Sequence, residues 1–167
     1  MKNDAALKHR ELSQMVIGVF FDVYNELGHG FLESVYQKAF EHALRAKGLR
    51  VNRKIEVPVW FRGEMVGDFE ADLLVDCKLL LELKAVRCLD SAHEAQLLNY
   101  LRATDVEVGL LFNFGVKPEF KRFAFENARK RGRAKTDLLS ALLGSEEASK
   151  DQKDCNDPTS PAAGTRE

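Results

Sequence analysis

From Lys8 to Leu27 the apolar positions Leu12, Met15, Val16, Val19, Phe20, Val23 and Leu27 recur at helical spacing. Gly28 is the expected stop, with Gly30 close behind it. A second helix is predicted from Phe31 to Lys47, with Val35, Ala39, Ala43 and Leu44 as its buried stripe and Gly48 at its end. The period then changes to two. In LRVNRKIEVPVWF, residues 49–61, Val51, Ile55, Val57, Val59 and Phe61 alternate as in a strand. RGE at 62–64 reads as a turn into a strand over Met65–Val75, and a third strand follows over Lys78–Val86. SAHEAQLLNYLRAT, residues 91–104, returns to helix, with Ser91 as its expected N-cap. VEVGLLFNFG reads as a buried strand. EFKRFAF fits a strand or a short helix, because Phe120, Phe123 and Phe125 match neither period. The order is helix, helix, three-strand meander, helix, strand, and strand or helix. That is an α/β or α+β domain with a mixed sheet.

After Asn127 the pattern dissolves. RKRGRAK at 129–135 holds five basic residues, TDLLSALLGSEEA is long enough for a short helix, and the polar end carries Pro158 and Pro161. The expected division is a domain over 8–127 and a basic, then polar, largely disordered tail over 128–167. The basic stretch suits a phosphate backbone, or equally the solvated start of a tail.

Composition narrows the class. The chain has 167 residues, 45% hydrophobic and 31% charged, which is the material of one globular core. A formal net charge of -1 neither announces a nucleic-acid binder nor excludes one, since a local patch can do the binding. No apolar run approaches the roughly 18 residues of a membrane span. MKNDAALKHRELSQ lacks the apolar core of a signal peptide, so the expectation is a soluble, cytoplasmic chain with no membrane partner. Cys77, Cys88 and Cys155 are odd in number, widely spaced and without a C-x-x-C pair, and read as free thiols.

The chemistry concentrates in GDFEADLLVDCKLLLELKAV, residues 67–86. Two strands joined at Asp76-Cys77 carry Asp72, Glu82 and Lys84 amid apolar residues, and charges in a sheet need partners. By alternation Glu82 and Lys84 share a face, opposite Leu81 and Leu83. Asp72 is expected on a face with Glu70 and Leu74, opposite Ala71, Leu73 and Val75. An antiparallel pair then brings Asp72 near Glu82 or Lys84. Two carboxylates suit Mg²⁺ or Mn²⁺, which polarise phosphoryl oxygens and activate water, and Lys84 suits orienting that water. The plainer alternative is a cross-strand salt bridge on a solvated sheet face.

Gly30, Glu33 and Tyr36 in GFLESVY match Gly-x-x-Glu-x-x-Tyr, and FEADLLV, LELKAV, HEAQLLNYLRAT and VGLLFNFG follow in order. In these five blocks the chain resembles the GxxExxY family, grouped with the PD-(D/E)XK nuclease superfamily, over about Val16 to Phe125. The resemblance implies a restriction-endonuclease-like core, a mixed sheet flanked by helices. It implies Asp72, Glu82 and Lys84 as the motif residues, Glu33 as the helix-borne acid, and Gln96 and Tyr100 as the Gln-x-x-x-Tyr of the RecB-like branch. By the same resemblance the metal ligands are Asp72, Glu82, Glu33 and the backbone carbonyl of Leu83. The Pro that names the motif is absent, and Ala71 precedes Asp72 instead.

Helical geometry agrees with this placement. Gln96 and Tyr100 share a helix face with His93 one turn earlier, and Glu33, Tyr36 and Gln37 share a face of the second helix. Plainer readings stand beside each: Tyr36 and Tyr100 as core residues with a hydroxyl at the rim, Gln96 as an ordinary helix surface residue, His93 as a cap. Asp68, Glu70 and Glu94 read as bystanders, and Trp60 and Phe61 as core or rim rather than a base-stacking platform.

Two functions compete. One is a Mg²⁺- or Mn²⁺-dependent nuclease acting on DNA or RNA, in which Glu33, Asp72, Glu82, Lys84, Gln96 and Tyr100 form the site. The other is a non-catalytic module of the same fold that binds nucleic acid or a protein partner. A homodimer or partner is expected to help so small a nuclease select its substrate. Hydrolysis of another phosphate ester is a remoter reading, and no Gly-x-x-x-x-Gly-Lys loop is present for nucleoside triphosphates.

Overall fold

The computed structural model describes residues 8–130 and Leu138. Helices α1 (Arg10–Leu27) and α2 (Glu33–Ala46) precede strands β1 (Val51–Phe61), β2 (Glu64–Val75) and β3 (Leu79–Lys84). Helix α3 (Ser91–Ala103), strands β4 (Val108–Asn113) and β5 (Glu119–Ala124), and a short 3₁₀ turn over Asn127–Arg129 follow. The segment fitting either strand or helix is therefore a strand. The five strands lie side by side in chain order in one mixed sheet. Only β3 and β4 are parallel, as their link through α3 requires. The predicted tail helix, most of the basic stretch and Cys155 lie outside the described residues. No helix among the described residues is long and apolar enough to cross a membrane.

The two hairpin turns follow from local backbone chemistry. Arg62-Gly63 and Asp76-Cys77 both place two successive residues at positive φ, the conformation of a two-residue turn whose twist matches the flanking strands. Asp76 also accepts from the Arg50 N–H at 2.9 Å, tying the turn to the start of β1.

Helices α1 and α2 cover one face of the sheet and α3 the other. The first core joins Val16, Val19, Phe20, Tyr36, Phe40 and Leu44 to Leu73, Leu81, Leu83 and Phe112. The second joins Leu97, Tyr100 and Leu101 to Ile55, Val57, Ala71, Leu74, Leu80 and Leu111, and Leu138 packs here too. The buried side of α2 is thus Tyr36, Phe40 and Leu44, and Val35, expected inside, is exposed. The N-cap of α3 is Asp90 rather than Ser91. Its carboxylate accepts from the Ala92 and His93 N–H groups, while His93 Nδ1 accepts from Asp90 N–H.

Besides a register shift between Val59 and Trp60, strict alternation fails around Asp72. Ala71 packs in the α3-side core, whereas Leu73 and Val75 pack on the α1/α2 side. Strand β1 changes sides at the same level, with Val51 in the first core and Ile55 and Val57 in the second. The register passes from Arg53↔Leu73 to Ile55↔Ala71, skipping Lys54 and Asp72, and Lys54 has φ 54°. The left-handed residue rotates both strands, so the expected grouping of Ala71 with Leu73 and Val75 does not hold.

Close helix–sheet contact depends on Gly109 in β4, where an added Cβ would lie 2.8 Å from Leu97 Cδ1 and 3.0 Å from Leu97 Cγ. Gly109→Val should lower stability by about 1–3 kcal/mol through overpacking, read as a lower urea midpoint with an unchanged m-value.

Candidate functional site

Strands β2 and β3 pair only through Leu73↔Leu81, Leu74↔Leu80 and Val75↔Leu79. One more step of this register would set Asp72 opposite Glu82, and there the ladder stops. Into the opening fork turns the Asp72 carboxylate. Its Oδ2 accepts from the Leu83 N–H at 2.7 Å, replacing the strand partner that this N–H has lost. Its Oδ1 accepts from Gln37 Nε2 on α2, also at 2.7 Å. The rotation of β2 at Asp72 is what allows a side chain of this strand to do so.

Glu82 is 2% exposed. Its Oε1 accepts from Lys84 Nζ at 2.6 Å, and its buried Oε2 has no hydrogen-bond partner. A buried carboxylate oxygen left bare is unfavourable by the full desolvation of the group, so it marks a place built for another positive or donating group. Burial pushes the Glu82 carboxyl up to about 7, helped by the Asp72 charge and opposed by Lys84. Burial likewise raises Asp72 to about 6, against the Leu83 N–H bond, with Glu33 adding to the rise. Burial disfavours the Lys84 ammonium, but the Glu82 bond and charge outweigh it and hold Lys84 above its ordinary value. The Glu33 charge acts on Asp72, Glu82 and Lys84 alike, from the first residue of α2.

Strand β4 fixes the other end of the Lys84 segment. Phe114 N–H donates to Lys84 O at 2.7 Å. The buried Asn113 amide accepts from Val86 N–H and donates to Val86 O, both at 3.0 Å. Lys84 therefore projects from backbone held on both sides.

On the α3 side Gln96 Nε2 donates to the Tyr100 hydroxyl at 2.7 Å, and that hydroxyl donates to Glu70 O at 3.2 Å. Burial raises the Tyr100 pKa, and the charges of Glu82, Lys84 and Asp72 all act on it. The structure thus brings Asp72, Glu82 and Lys84 together at the fork, with the Glu33 charge acting on all three from α2 and the Gln96–Tyr100 pair on the α3 side. Tyr36 is elsewhere. It is fully buried and stacked on Phe114 at 4.4 Å, with its hydroxyl donating to Gly28 O and accepting from Phe31 N–H. His93 is part of the α3 cap. Asp68 and Glu70 are exposed, and Glu94 pairs with Lys121.

Gln37, which helical geometry puts on the face of Glu33 but to which the sequence assigns no role, holds Asp72 in the site. Its signal was present, one helical turn beyond Glu33 on the same face. Among the described residues no three His, Cys, Asp or Glu side chains are grouped closely enough to enclose an ion alone. Buried Glu82 and half-buried Asp72 form a smaller donor set of two carboxylates. Mutual repulsion, raised pKa values and the bare Glu82 Oε2 fit that set to a hard divalent cation.

The sequence profile described as the PD-(D/E)XK nuclease superfamily matches residues 10–123. No curated protein matches the chain. The solved structure titled SSO0001 is similar over 73% of this chain and 60% of its own, with 16% identity and a TM-score of 0.46. An alkaline exonuclease (LHK-Exo) from Laribacter hongkongensis is similar over 65% of this chain and 63% of its own, with 14% identity and a TM-score of 0.33. The chain thus spans less than two thirds of either structure's length. A profile match from the first turn of α1 to the end of β5 takes in every element around the fork, and the chain belongs to the PD-(D/E)XK nuclease superfamily.

Proposed function

We propose that the chain is a GxxExxY-type nuclease that hydrolyses phosphodiester bonds with Mg²⁺ or Mn²⁺. The observation that carries this reading is the buried, partnerless Oε2 of Glu82 beside the Asp72 carboxylate at the mouth of a strand fork. Asp72, Glu82 and the Leu83 carbonyl would hold the cation, with Glu33 adding negative charge from α2. When bound, the cation supplies a Lewis acid for the phosphoryl oxygen and lowers the pKa of the attacking water. The chain's own residues do the positioning. Gln37 and the Leu83 N–H hold the Asp72 carboxylate in one orientation. Glu82 and the fixed backbone aim the Lys84 ammonium, whose charge can orient the attacking water and stabilise the negative charge that builds on the phosphorus centre. Gln96 and Tyr100 form a bonded pair on the α3 side, from which the half-buried Gln96 amide would contact a substrate strand. The substrate class is nucleic acid, and a homodimer or protein partner would extend the surface that selects it.

A second reading has its own observation. The 2.6 Å Glu82–Lys84 pair is a complete salt bridge, as a non-catalytic module of this fold would keep for structure alone. Cleavage of DNA and RNA with Mg²⁺ or Mn²⁺ separates the two. Asp72→Ala should abolish both cleavage and Mn²⁺ binding. Lys84→Ala should keep Mn²⁺ binding and lose cleavage about 10²–10³-fold. Equal cleavage by wild type and both variants would expose a contaminant, and absent cleavage with absent Mn²⁺ binding would favour the structural module.

The raised carboxyl pKa values give a signed pH dependence. Between the ordinary values of 3.8 and 4.5 and the native values of about 6 and about 7, the folded chain binds more protons than the unfolded chain. Without divalent metal, stability should therefore fall as pH rises through this window and level off above about 7. Mn²⁺ needs the ionised carboxylates, so its stabilising shift in Tm should be small near the bottom of the window and full above it. A scanning measurement with and without Mn²⁺ checks both signs.

A further inference from the structure

Beside the fork lies a groove of about 350 Å³, bounded by the loop before α2 and the segment after β3. One wall carries His29 and Phe31, the other Val86 and Arg87, and Gly115 and Val116 close the end. Both walls run directly into the candidate site. Arg87 is three residues beyond Lys84, and Phe31 is two residues before Glu33.

The groove is shaped by close backbone contact and carries positive charge. A Cβ on Gly115 would lie 2.0 Å from Val86 O, so the two chain segments meet backbone to backbone. Gly30, at φ 108°, turns the opposite wall, and the Tyr36 hydroxyl pins it through Gly28 O and Phe31 N–H. Phe31 is left 51% exposed, its ring standing edge-on to Tyr36 at 6.1 Å. Among the described residues, Arg87 is exposed and makes no ion pair, and no acidic side chain lines the groove. An unpaired guanidinium and an exposed aromatic face are the two groups that read an unpaired nucleotide, by its phosphate and its base.

We propose that this groove is a subsite for single-stranded nucleic acid, holding the nucleotide next to the scissile phosphate. Arg87 takes that nucleotide's phosphate and Phe31 stacks on its base. The volume suits one splayed nucleotide, whereas the bases of a duplex stack on one another and leave no face for Phe31. The inference rests on the nuclease reading for the neighbouring site and adds the strand class to it.

The test is fluorescence anisotropy of labelled single strands of about ten nucleotides, DNA and RNA, and of the corresponding DNA duplex, with Ca²⁺ in place of Mg²⁺. The full chain should bind single strands at least about tenfold tighter than duplex. Phe31→Ala should weaken single-strand binding about 5- to 100-fold and leave duplex binding unchanged, and Phe31→Trp should restore it. Arg87→Ala should weaken binding and reduce the salt slope by about one. Both side chains are exposed, so the variants should melt with wild type. Absence of single-strand binding by wild type, equal binding of single strand and duplex, or indifference to Phe31→Ala would overturn the subsite. The expected binding pattern without cleavage in Mg²⁺ or Mn²⁺ would overturn the nuclease reading and uphold the subsite. Cleavage with Phe31→Ala indistinguishable from wild type in binding would do the reverse.

Discussion

A carboxylate standing in for a strand is the interaction on which the site depends. Where β2 and β3 separate, the Leu83 N–H loses its ladder partner, and Asp72 Oδ2 takes its place at 2.7 Å. One bond thus ties the two strands where their ladder ends and fixes a negative charge there. The charge is held in a half-buried position, so its energy depends on what faces it. Glu82 would follow next in register; burial of each group raises both carboxyls well above the ordinary range, and the Asp72 charge adds to the rise at Glu82. Such a pair is poor for a metal-free fold near neutral pH. It is well suited to a fold completed by a cation.

Lys84 meets only part of this excess. Its ammonium satisfies Glu82 Oε1 and leaves Oε2 bare. A purely structural network would be expected to close on itself, because each buried lone pair left open is unfavourable. The surrounding framework, by contrast, is closed. Asn113 pairs both main-chain groups of Val86, Phe114 takes Lys84 O, and Gln37 takes Asp72 Oδ1. The unsatisfied group sits at the centre and the satisfied ones around it, which is the distribution expected where a site is preorganised for a ligand.

How much of this was legible in the sequence follows from the kind of signal each feature leaves. Element order could be read because helices and strands bury different periods, and the turns at Arg62-Gly63 and Asp76-Cys77 interrupt them. The trio Asp72, Glu82 and Lys84 could be read because charge in an apolar run is conspicuous. The face of Ala71 could not, because alternation assumes an unbroken pleat and Lys54, on another strand, breaks it. Val35 misled because an apolar residue at helical spacing says nothing of whether the sheet extends beneath it. The face of Gln37 could be read but not its role, because an amide one turn from a carboxylate is ordinary until its partner across the fold is known.

Tyr36 shows why a sequence motif need not be a site. Gly30, Glu33 and Tyr36 lie within seven residues, yet of the three only Glu33 acts on the carboxylate cluster, through its charge. Tyr36 spends its hydroxyl on the two ends of the preceding loop and its ring on Phe114, which follows the Asn113 clamp. Gly30 supplies a backbone angle that a side chain would resist. The motif therefore builds an edge of the site by ordering a loop, placing an acid at the first turn of α2 and turning Phe31 outward beside it. Pattern matching would assign the three residues one role, whereas the contacts divide them into a hinge, a charge and an anchor. That division makes the loop before α2 the point where the carboxylate fork and the basic groove are held in a fixed relation to each other.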